Sequence, residues 1–461
     1  MSSTTPDEYF LPSEGLSYNP NDAHYFDGDA LQSEIDRAFD LCHSCRLCFK
    51  FCDSFPTLFK AVDERDGEAR GMDAAVTDQV VDECFGCRLC YVNCPYTEAE
   101  EHPYQLDFPA LMLRARAKRA KEQGIRFRDR LLADPDRLGK QGARLPGVTN
   151  AANRSTPVRA VMEKAAGIHR DKTLPDFHSP TFEAWFAELA GGDGEIAGEH
   201  PVVLFHTCFV NYNNPQIGKD AVEVMEHNDC RVACPKQNCC GMPALDSGDI
   251  DFARSQAASN VRTLLPYVER GYRIAVINPT CSMMLKSEYP VLLSADAELA
   301  DAAVAVAGAT RDLNEYLFEQ RNAGHFREDY KSTPDSDIAY HIACHLKTQG
   351  IGFRGRDLMR RIPGVKVRLV SECSGHDGTW AMKRENFDAS MRIGKKAFDG
   401  MSETKAETWA SDCPLASIQI GQATGTRPLH PVQVLARAYR EDGFAHPVPA
   451  DDMTDDKADE E

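Results

Sequence analysis

Two copies of one four-cysteine spelling stand near the N-terminus. The first is Cys42, Cys45, Cys48 and Cys52; the second is Cys84, Cys87, Cys90 and Cys94, followed by Pro95. Both read C-x2-C-x2-C-x3-C, the spacing that binds cubane [4Fe–4S] clusters, the fourth cysteine of each run ligating the other copy's cluster. The spacing therefore predicts two clusters, one on Cys42, Cys45, Cys48 and Cys94, the other on Cys84, Cys87, Cys90 and Cys52. Such a centre takes and passes single electrons. Zinc sites are usually built from separated C-x2-C pairs and need no third cysteine at the same step. A disulfide framework suits short secreted chains. This chain has 461 residues, and its start, MSSTTPDEYFLPSEG, shows neither the basic end nor the apolar core of a signal peptide. Seventeen cysteines held as free thiols imply a reducing compartment, so the cytoplasm is expected.

A second cysteine set lies further on. Cys208, Cys239-Cys240-Gly241 and Cys281 are matched by Cys344, Cys373-Ser374-Gly375 and Cys413. The steps are 31 and 42 residues in the first group and 29 and 40 in the second. Around them the apolar runs VVLF, RVAC and RIAVI, then DIAYHIAC, VKVRLV and ETWASDC, alternate with helical segments. This texture predicts α/β units on parallel sheets, repeated over residues 199–325 and 336–440. Ends of parallel strands converge on one sheet edge, so each cysteine group is expected to meet in space. Cys230 and Cys234 fall between the matched positions and are expected as buried core thiols. His206 and His341 each precede the first cysteine of a repeat. Each either tunes a cluster through a hydrogen bond to sulfur or simply packs.

The elements that must carry these residues follow. Residues 1–30 are polar and read as a loosely ordered lead-in. LQSEIDRAFDLC, from Leu31, looks helical and delivers the chain into the first cysteine run. With 31 residues between Cys52 and Cys84, the segment 31–107 reads as a mainly α-helical two-cluster ferredoxin domain. Residues 108–198 form a helical basic linker, with Arg114, Arg116, Lys118, Arg119, Lys121, Arg126, Arg128, Arg130, Arg137, Lys140 and Arg144. Its basic run is read in two ways, as a solvated arm or as a face for an acidic partner or anionic membrane. Residues 441–461 end in the acidic DDMTDDKADEE, expected to be disordered. The formal charge of −19 argues against nucleic-acid binding. No apolar run approaches the length that spans a membrane. No G-x-G-x-x-G fingerprint follows a predicted strand, so flavin or nicotinamide is expected on another polypeptide.

From Cys42 to Tyr439 the sequence resembles the family of the iron–sulfur C component of anaerobic glycerol-3-phosphate dehydrogenase. More broadly it is similar to heterodisulfide reductase subunits with the CCG domain and to iron–sulfur subunits of glycolate and lactate oxidation. The resemblance is carried by Cys208–Asp220 (CFVNYNNPQIGKD), Cys239–Pro243 (CCGMP), Thr280-Cys281 with Glu288-Tyr289-Pro290, and His341–His345 (HIACH). Leu174-Pro175 and Thr181-Phe182 match as well. It implies that the CCG modules hold a further iron–sulfur centre or a redox-active thiol arrangement. In the first module Cys208, Cys239, Cys240 and Cys281 are four soft donors for a third cluster or for catalysis. The second module departs from the family pattern at Ser374 and Ala416. It keeps Cys344, Cys373 and Cys413, with His345 or His376 as completing ligand, or else it serves as scaffold. The resemblance also implies a flavoprotein dehydrogenase partner, acting on glycerol 3-phosphate or a 2-hydroxy acid, and a quinone or other acceptor. Two alternatives are a thiol–disulfide reductase working at the first module and a tether to the inner membrane surface.

Overall fold

The computed structural model describes residues 8–334 and 337–447; the acidic end, Asp451–Glu461, lies outside them. Helix α1, Gly28–Cys45, starts where Asp27 accepts the N–H of Ala30, three residues before the expected Leu31. Helices α2 (Ser54–Asp63), α3 (Ala74–Glu83), α4 (Leu89–Val92) and α5 (Phe108–Gln123) follow. Leu31, Ile35, Ala38 and Phe39 recur at helical spacing on α1 and are buried with Phe55, Leu58, Phe108 and Leu111. Phe55 and Phe108 pack with ring centroids 4.7 Å apart. The two cysteine runs share one unusual backbone feature. Arg46 and Arg88, each following the second cysteine, take the left-handed conformation at φ 53° and 57°. A side chain there is uncommon, and finding it twice marks the two copies as one structural unit repeated.

Residues 8–27, expected as a loose lead-in, are instead fastened down. Arg114 on α5 is fully buried and donates to the carbonyls of Tyr25 (2.7 Å), Gly15 (2.8 Å), Ser17 (3.3 Å) and His24. Five fixed N–H donors on one planar group suit this task, since each otherwise orphaned carbonyl finds a partner. Asn21 ties the same segment to the carbonyl of Val291 at 2.8 Å.

Both later regions are α/β with parallel sheets, as expected. Strands β1 (Glu195–Ile196), β2 (His200–Phe205), β3 (Cys230–Ala233), β4 (Arg273–Val276) and β5 (Thr310–Asp312) form one sheet in the order β1-β3-β2-β4-β5. All its pairs are parallel except the β1 edge. Past β6 (Ser332–Thr333), strands β7 (Ile338–His341), β8 (Val367–Val370) and β9 (Thr408–Ser411) form an all-parallel sheet in the order β8-β7-β9. Strand β10, His446–Pro447, pairs with β6. The first strand of each repeat sits between the second and third, so the two units have one topology. The repetition is shortened in the second unit, where the counterpart of β5 is a single parallel bridge between Ala410 of β9 and Leu429. Gly241 and Gly375, after the second cysteine position of each repeat, both have positive φ (90° and 67°). At Gly375 a Cβ would fall 2.0 Å from the Ser390 carbonyl oxygen, so only glycine fits there.

The two units share one apolar core, in which Leu204, Val224 and Tyr316 pack with Ile338, Tyr340 and Leu435. His430 is buried across this seam. Its Nδ1 accepts from Val432 N–H, and its Nε2 faces the Ile277 carbonyl of the first unit at 3.2 Å. Burial lowers its pKa to about 4. The unfolded chain binds this proton from about pH 6.5 downward, the folded chain only near pH 4. Stability is thus full above pH 6.5 and falls between those limits, by roughly 3 kcal/mol for a shift of this size. His430→Gln is expected to flatten that acid limb in thermal melts; an unchanged slope would assign it to other groups.

Candidate functional site

The first predicted quartet comes together at the end of α1. Cys42, Cys45, Cys48 and Cys94 line one pocket, walled by Leu41, Phe55 and Leu106. Burial and the neighbouring Cys48, Cys94 and Cys45 push the Cys42 thiol well up, and burial with Cys94 and Cys45 pushes Cys48 to about 12. Four thiols crowded in a low dielectric resist ionising unless a cationic core sits among them. A cationic iron–sulfur core suits that donor set.

The second quartet lies deeper. Cys84, Cys87 and Cys90 are buried, and Cys52 packs beside them. Burial is the main cause of the raised Cys90 thiol, followed by Cys87, Cys84 and Cys52, and then Cys48 from the first quartet. The two quartets are therefore electrostatic neighbours, in the cross-paired arrangement that the spacing predicts. The outer quartet sits under exposed apolar side chains, Leu47 (59 % exposed) and Phe49 (62 %), with Val92 (45 %) on the adjoining turn.

In the first α/β unit the four cysteines gather at the strand ends. Cys208 Sγ is 4.0 Å from Cys239 Sγ, and Cys240 and Cys281 are buried in the same cluster. Asp136, on the helix Pro135–Gly142, holds the N–H of Cys239. Cys208 also forms part of the wall of an apolar groove of about 440 Å³, with Leu138, Met162, Phe177, Met382 and Leu415.

In the second unit Cys344, Cys373 and Cys413 line one pocket together with His376, Ser374 and His341. This unit is not remote from the N-terminal helices. Burial raises the Cys87 thiol, and Cys373 and Cys344 raise it further. Cys413 in turn acts on Cys281 of the first unit. The four cysteine groups are thus neighbours in succession, with Cys344 and Cys373 packed against the cluster that holds Cys87. Among the described residues, no three or more His, Cys, Asp or Glu side chains close on a single metal ion.

Several expected roles fall elsewhere. His345 is not a completing ligand: its Nδ1 meets Thr280 Oγ1 at 2.8 Å and its Nε2 faces the Gly86 carbonyl at 3.2 Å. Neighbouring residues of the helix Cys344–Lys347 point about 100° apart, which turns His345 away from Cys344. His206 and His341 make no hydrogen bond to sulfur. His206 contacts the Thr207 carbonyl and Glu183, and His341 contacts Ser411 Oγ (2.9 Å) and the Glu372 carbonyl (3.2 Å). Cys230 is a core thiol beside Tyr316, and Cys234 packs against the same core.

The basic run is neither a free arm nor an open cationic face at its leading residues. Arg116 donates to the carbonyls of Cys84 (2.8 Å) and Asp246 (2.9 Å), Arg119 pairs with Asp78 and Asp82, and Arg128 with Glu385. With Arg114 these residues clamp the N-terminal helices to both α/β units. Charge counted along a sequence does not reveal such internal partners. Among the described residues no helix is long and apolar enough to cross a membrane.

Comparison with known proteins adds to this geometry. The family model of the CCG cysteine-rich domain matches residues 202–286 and 338–421, one match in each α/β unit. The chain is 32% identical over 414 residues to the C component of anaerobic glycerol-3-phosphate dehydrogenase of Escherichia coli (strain K12), covering 87% of this chain and 99% of the relative. It is 26% identical over 254 residues to lactate utilization protein A of Oceanobacillus iheyensis, covering 53% of this chain and 99% of that protein. The corresponding protein of Bacillus licheniformis is 28% identical over 240 residues, 51% of this chain and 95% of its own length.

Proposed function

The chain belongs to the family of the C component of anaerobic glycerol-3-phosphate dehydrogenase, and on that premise we propose that it is an iron–sulfur electron-transfer subunit of an oxidoreductase complex. Cys42, Cys45, Cys48 and Cys94 would hold one [4Fe–4S] cluster, and Cys84, Cys87, Cys90 and Cys52 the other. Bound there, such centres supply one-electron transfer at potentials set by burial and by hydrogen bonds to sulfur. The observation that carries this reading is the unbroken succession of cysteine groups, from Cys48 through Cys90 and Cys87 to Cys344, Cys373, Cys413 and Cys281.

Two surfaces of the chain support a reading of its two ends. Leu47 and Phe49 expose apolar surface above the outer quartet, which suits docking of a flavoprotein dehydrogenase that oxidises glycerol 3-phosphate or a 2-hydroxy acid. At the other end, the apolar groove beside Cys208 has the size and lining for a quinone, with Asn213 and Thr379 as polar groups on its wall. The free cysteines support a reducing compartment, the cytoplasm, and the internal pairing of Arg114, Arg116, Arg119 and Arg128 supports no membrane tether built on them. Reduced anaerobically and mixed with a short-chain quinone, the protein is expected to be reoxidised. Met382→Glu in the groove should slow that step at least about tenfold, because a buried unpaired charge repels an apolar ligand, while ferricyanide reoxidises both proteins alike. Equal quinone rates would move the acceptor site elsewhere.

A second reading rests on the 4.0 Å contact between Cys208 and Cys239. Two thiols so placed could reduce a disulfide substrate, closing their own S–S bond while the substrate takes up the two electrons and two protons and leaves as two thiols, so the first unit is also a candidate for thiol–disulfide exchange at the groove wall.

A further inference from the structure

We propose that His345 is the bridge that couples the inner quartet electronically to the cysteine group of the first α/β unit, a role that rests on the electron-transfer reading above. His345 is a positioning residue in this role and binds no iron itself.

One buried imidazole reaches three cysteine groups at once. His345 follows Cys344 directly in the chain and is 3 % exposed. Its Nε2 lies 3.2 Å from the carbonyl of Gly86, inside the Cys84–Cys87 turn of the inner quartet. Its Nδ1 lies 2.8 Å from Oγ1 of Thr280, the residue before Cys281. A carbonyl only accepts, so Nε2 carries the ring proton. Nδ1 is then the acceptor, and the Thr280 hydroxyl donates to it. The bonds run one way, from Thr280 to His345 to Gly86, and hydrogen bonds in such a chain polarise one another.

Both ends of the bridge are held in place. Gly86 sits at φ 68°, a conformation that glycine adopts at no steric cost. The Thr280 N–H donates to Asn278 Oδ1 at 3.0 Å, at the start of the helix Pro279–Met283. The short helix Cys344–Lys347 is clamped to that helix by Gln349. The Gln349 amide nitrogen lies 2.9 Å from Ser282 Oγ, 3.1 Å from the Pro279 carbonyl and 3.0 Å from the His345 carbonyl. Thr348 Oγ1 donates to the same His345 carbonyl at 3.1 Å.

The bridge matters for the first unit more than for the second. Cys344 and Cys373 already pack against the cluster that holds Cys87. Cys281, by contrast, is buried in the first unit's own core with Met283 and Tyr289, while Cys413 packs against the core shared by the two units. From Cys87 to Cys281 the path runs through Gly86, His345 and Thr280. It consists of covalent bonds interrupted by two hydrogen bonds, and tunnelling decays less along such a path than across an open gap. Cys208 of the same first-unit group stands on the wall of the apolar groove, so the path leads toward the quinone. Each transfer oxidises the inner centre by one electron; two transfers, with two protons from water, complete the quinol. The imidazole keeps its own proton throughout.

The Nε2–H also acts on the inner quartet itself. Donation to the Gly86 carbonyl draws electron density from the Gly86–Cys87 peptide. That favours the reduced, more negative state of a centre held by Cys87 and raises its potential.

The test uses the full-length protein, purified and reduced anaerobically, as wild type, Thr280→Val, His345→Ala and His345→Gln. Reoxidation by a short-chain quinone is followed by stopped flow, and the inner centre's midpoint by EPR-monitored redox titration. Thr280→Val keeps the shape and loses the hydroxyl. It should slow quinone reoxidation about tenfold, the size of effect seen when an outer-shell partner is lost, and leave the midpoint unchanged. His345→Ala should slow the reaction as much and also lower the midpoint. His345→Gln, whose amide offers one donor and one acceptor, should recover most of both. Ferricyanide should reoxidise all four proteins alike. Unchanged quinone rates in Thr280→Val and His345→Ala, with quartet signals intact, would overturn the inference and leave the quartet reading standing. Slowing that glutamine does not recover and that follows iron loss or a lower melting midpoint would overturn it too, as a purely structural role. A wild type without quartet signals, or one that quinone does not reoxidise, would overturn the electron-transfer reading and the bridge with it.

Discussion

Cys87→Ala is expected to remove one four-iron centre and to cut the line of cysteine groups at its midpoint. Cys87 is buried between Cys52 of its own quartet and Cys344 and Cys373 of the second α/β unit, under Phe85 and Trp380. The Trp380 indole donates to the Asp82 carbonyl at 2.9 Å, so this wall is part of the frame that joins the N-terminal helices to the second unit. Alanine removes one donor and leaves a small cavity, while Cys42, Cys45, Cys48 and Cys94 keep their own space around Leu41 and Phe55. Iron bound by the two quartets should fall from about eight to about four per chain. The outer centre should still be reduced by a partner flavoprotein, yet deliver no electrons to quinone. Iron counting and EPR under stepwise reduction check this. Loss of every centre together would show instead that the quartets and α/β units bind their irons as one cooperative body.

The second large effect is expected at Arg88. Its left-handed φ of 57° lies inside the Cys87–Cys90 turn, and its guanidinium meets Glu288 of the first unit at 2.6 Å. The side chains are 22% and 11% exposed, so solvent screens the pair little. Glu288 holds the Arg88 pKa above its ordinary value. Arg88→Ala strands a carboxylate in a poorly hydrated seam, a change that costs about 3 kcal/mol when one partner of a buried pair is removed. The loss of a positive charge beside the inner quartet should also lower that centre's reduction potential. Arg88→Ala combined with Glu288→Gln should recover most of the stability but only part of the potential, since Arg88 lies inside the cysteine turn and Glu288 lies across the seam from it. Denaturation midpoints and a redox titration separate the two. Equal stability of single and double variants would mean the carboxylate finds water.

Much of this organisation was legible in the residues. Matched steps from Cys208 to Cys281 and from Cys344 to Cys413 pointed to two α/β repeats with cysteines at the strand ends, and the family-model matches fall on both. Strands such as VVLF and DIAY announce themselves because buried parallel strands are continuously apolar. Strand β5 reads only Thr310-Arg311-Asp312, and no apolar pattern betrays it. Pairwise detail was hidden for physical reasons. His345 is adjacent in sequence to a candidate ligand, yet a helix turns successive side chains about 100° apart. His376, three residues past Cys373, stays in the cavity because Gly375 bends the chain back at positive φ. The arginines of α5 looked like surface charge, since a sequence lists donors without the carbonyls and carboxylates that meet them. The lead-in read as loose for the same reason: its order comes from Arg114, nearly ninety residues away.

The most direct measurement is the metal and sulfide content of the full chain purified without oxygen, read together with low-temperature EPR. At least about eight irons and eight sulfides per chain are predicted, with reduced centres close enough to split each other's signals. A colourless protein carrying zinc, or one whose quartet signals show no mutual interaction, would contradict the account.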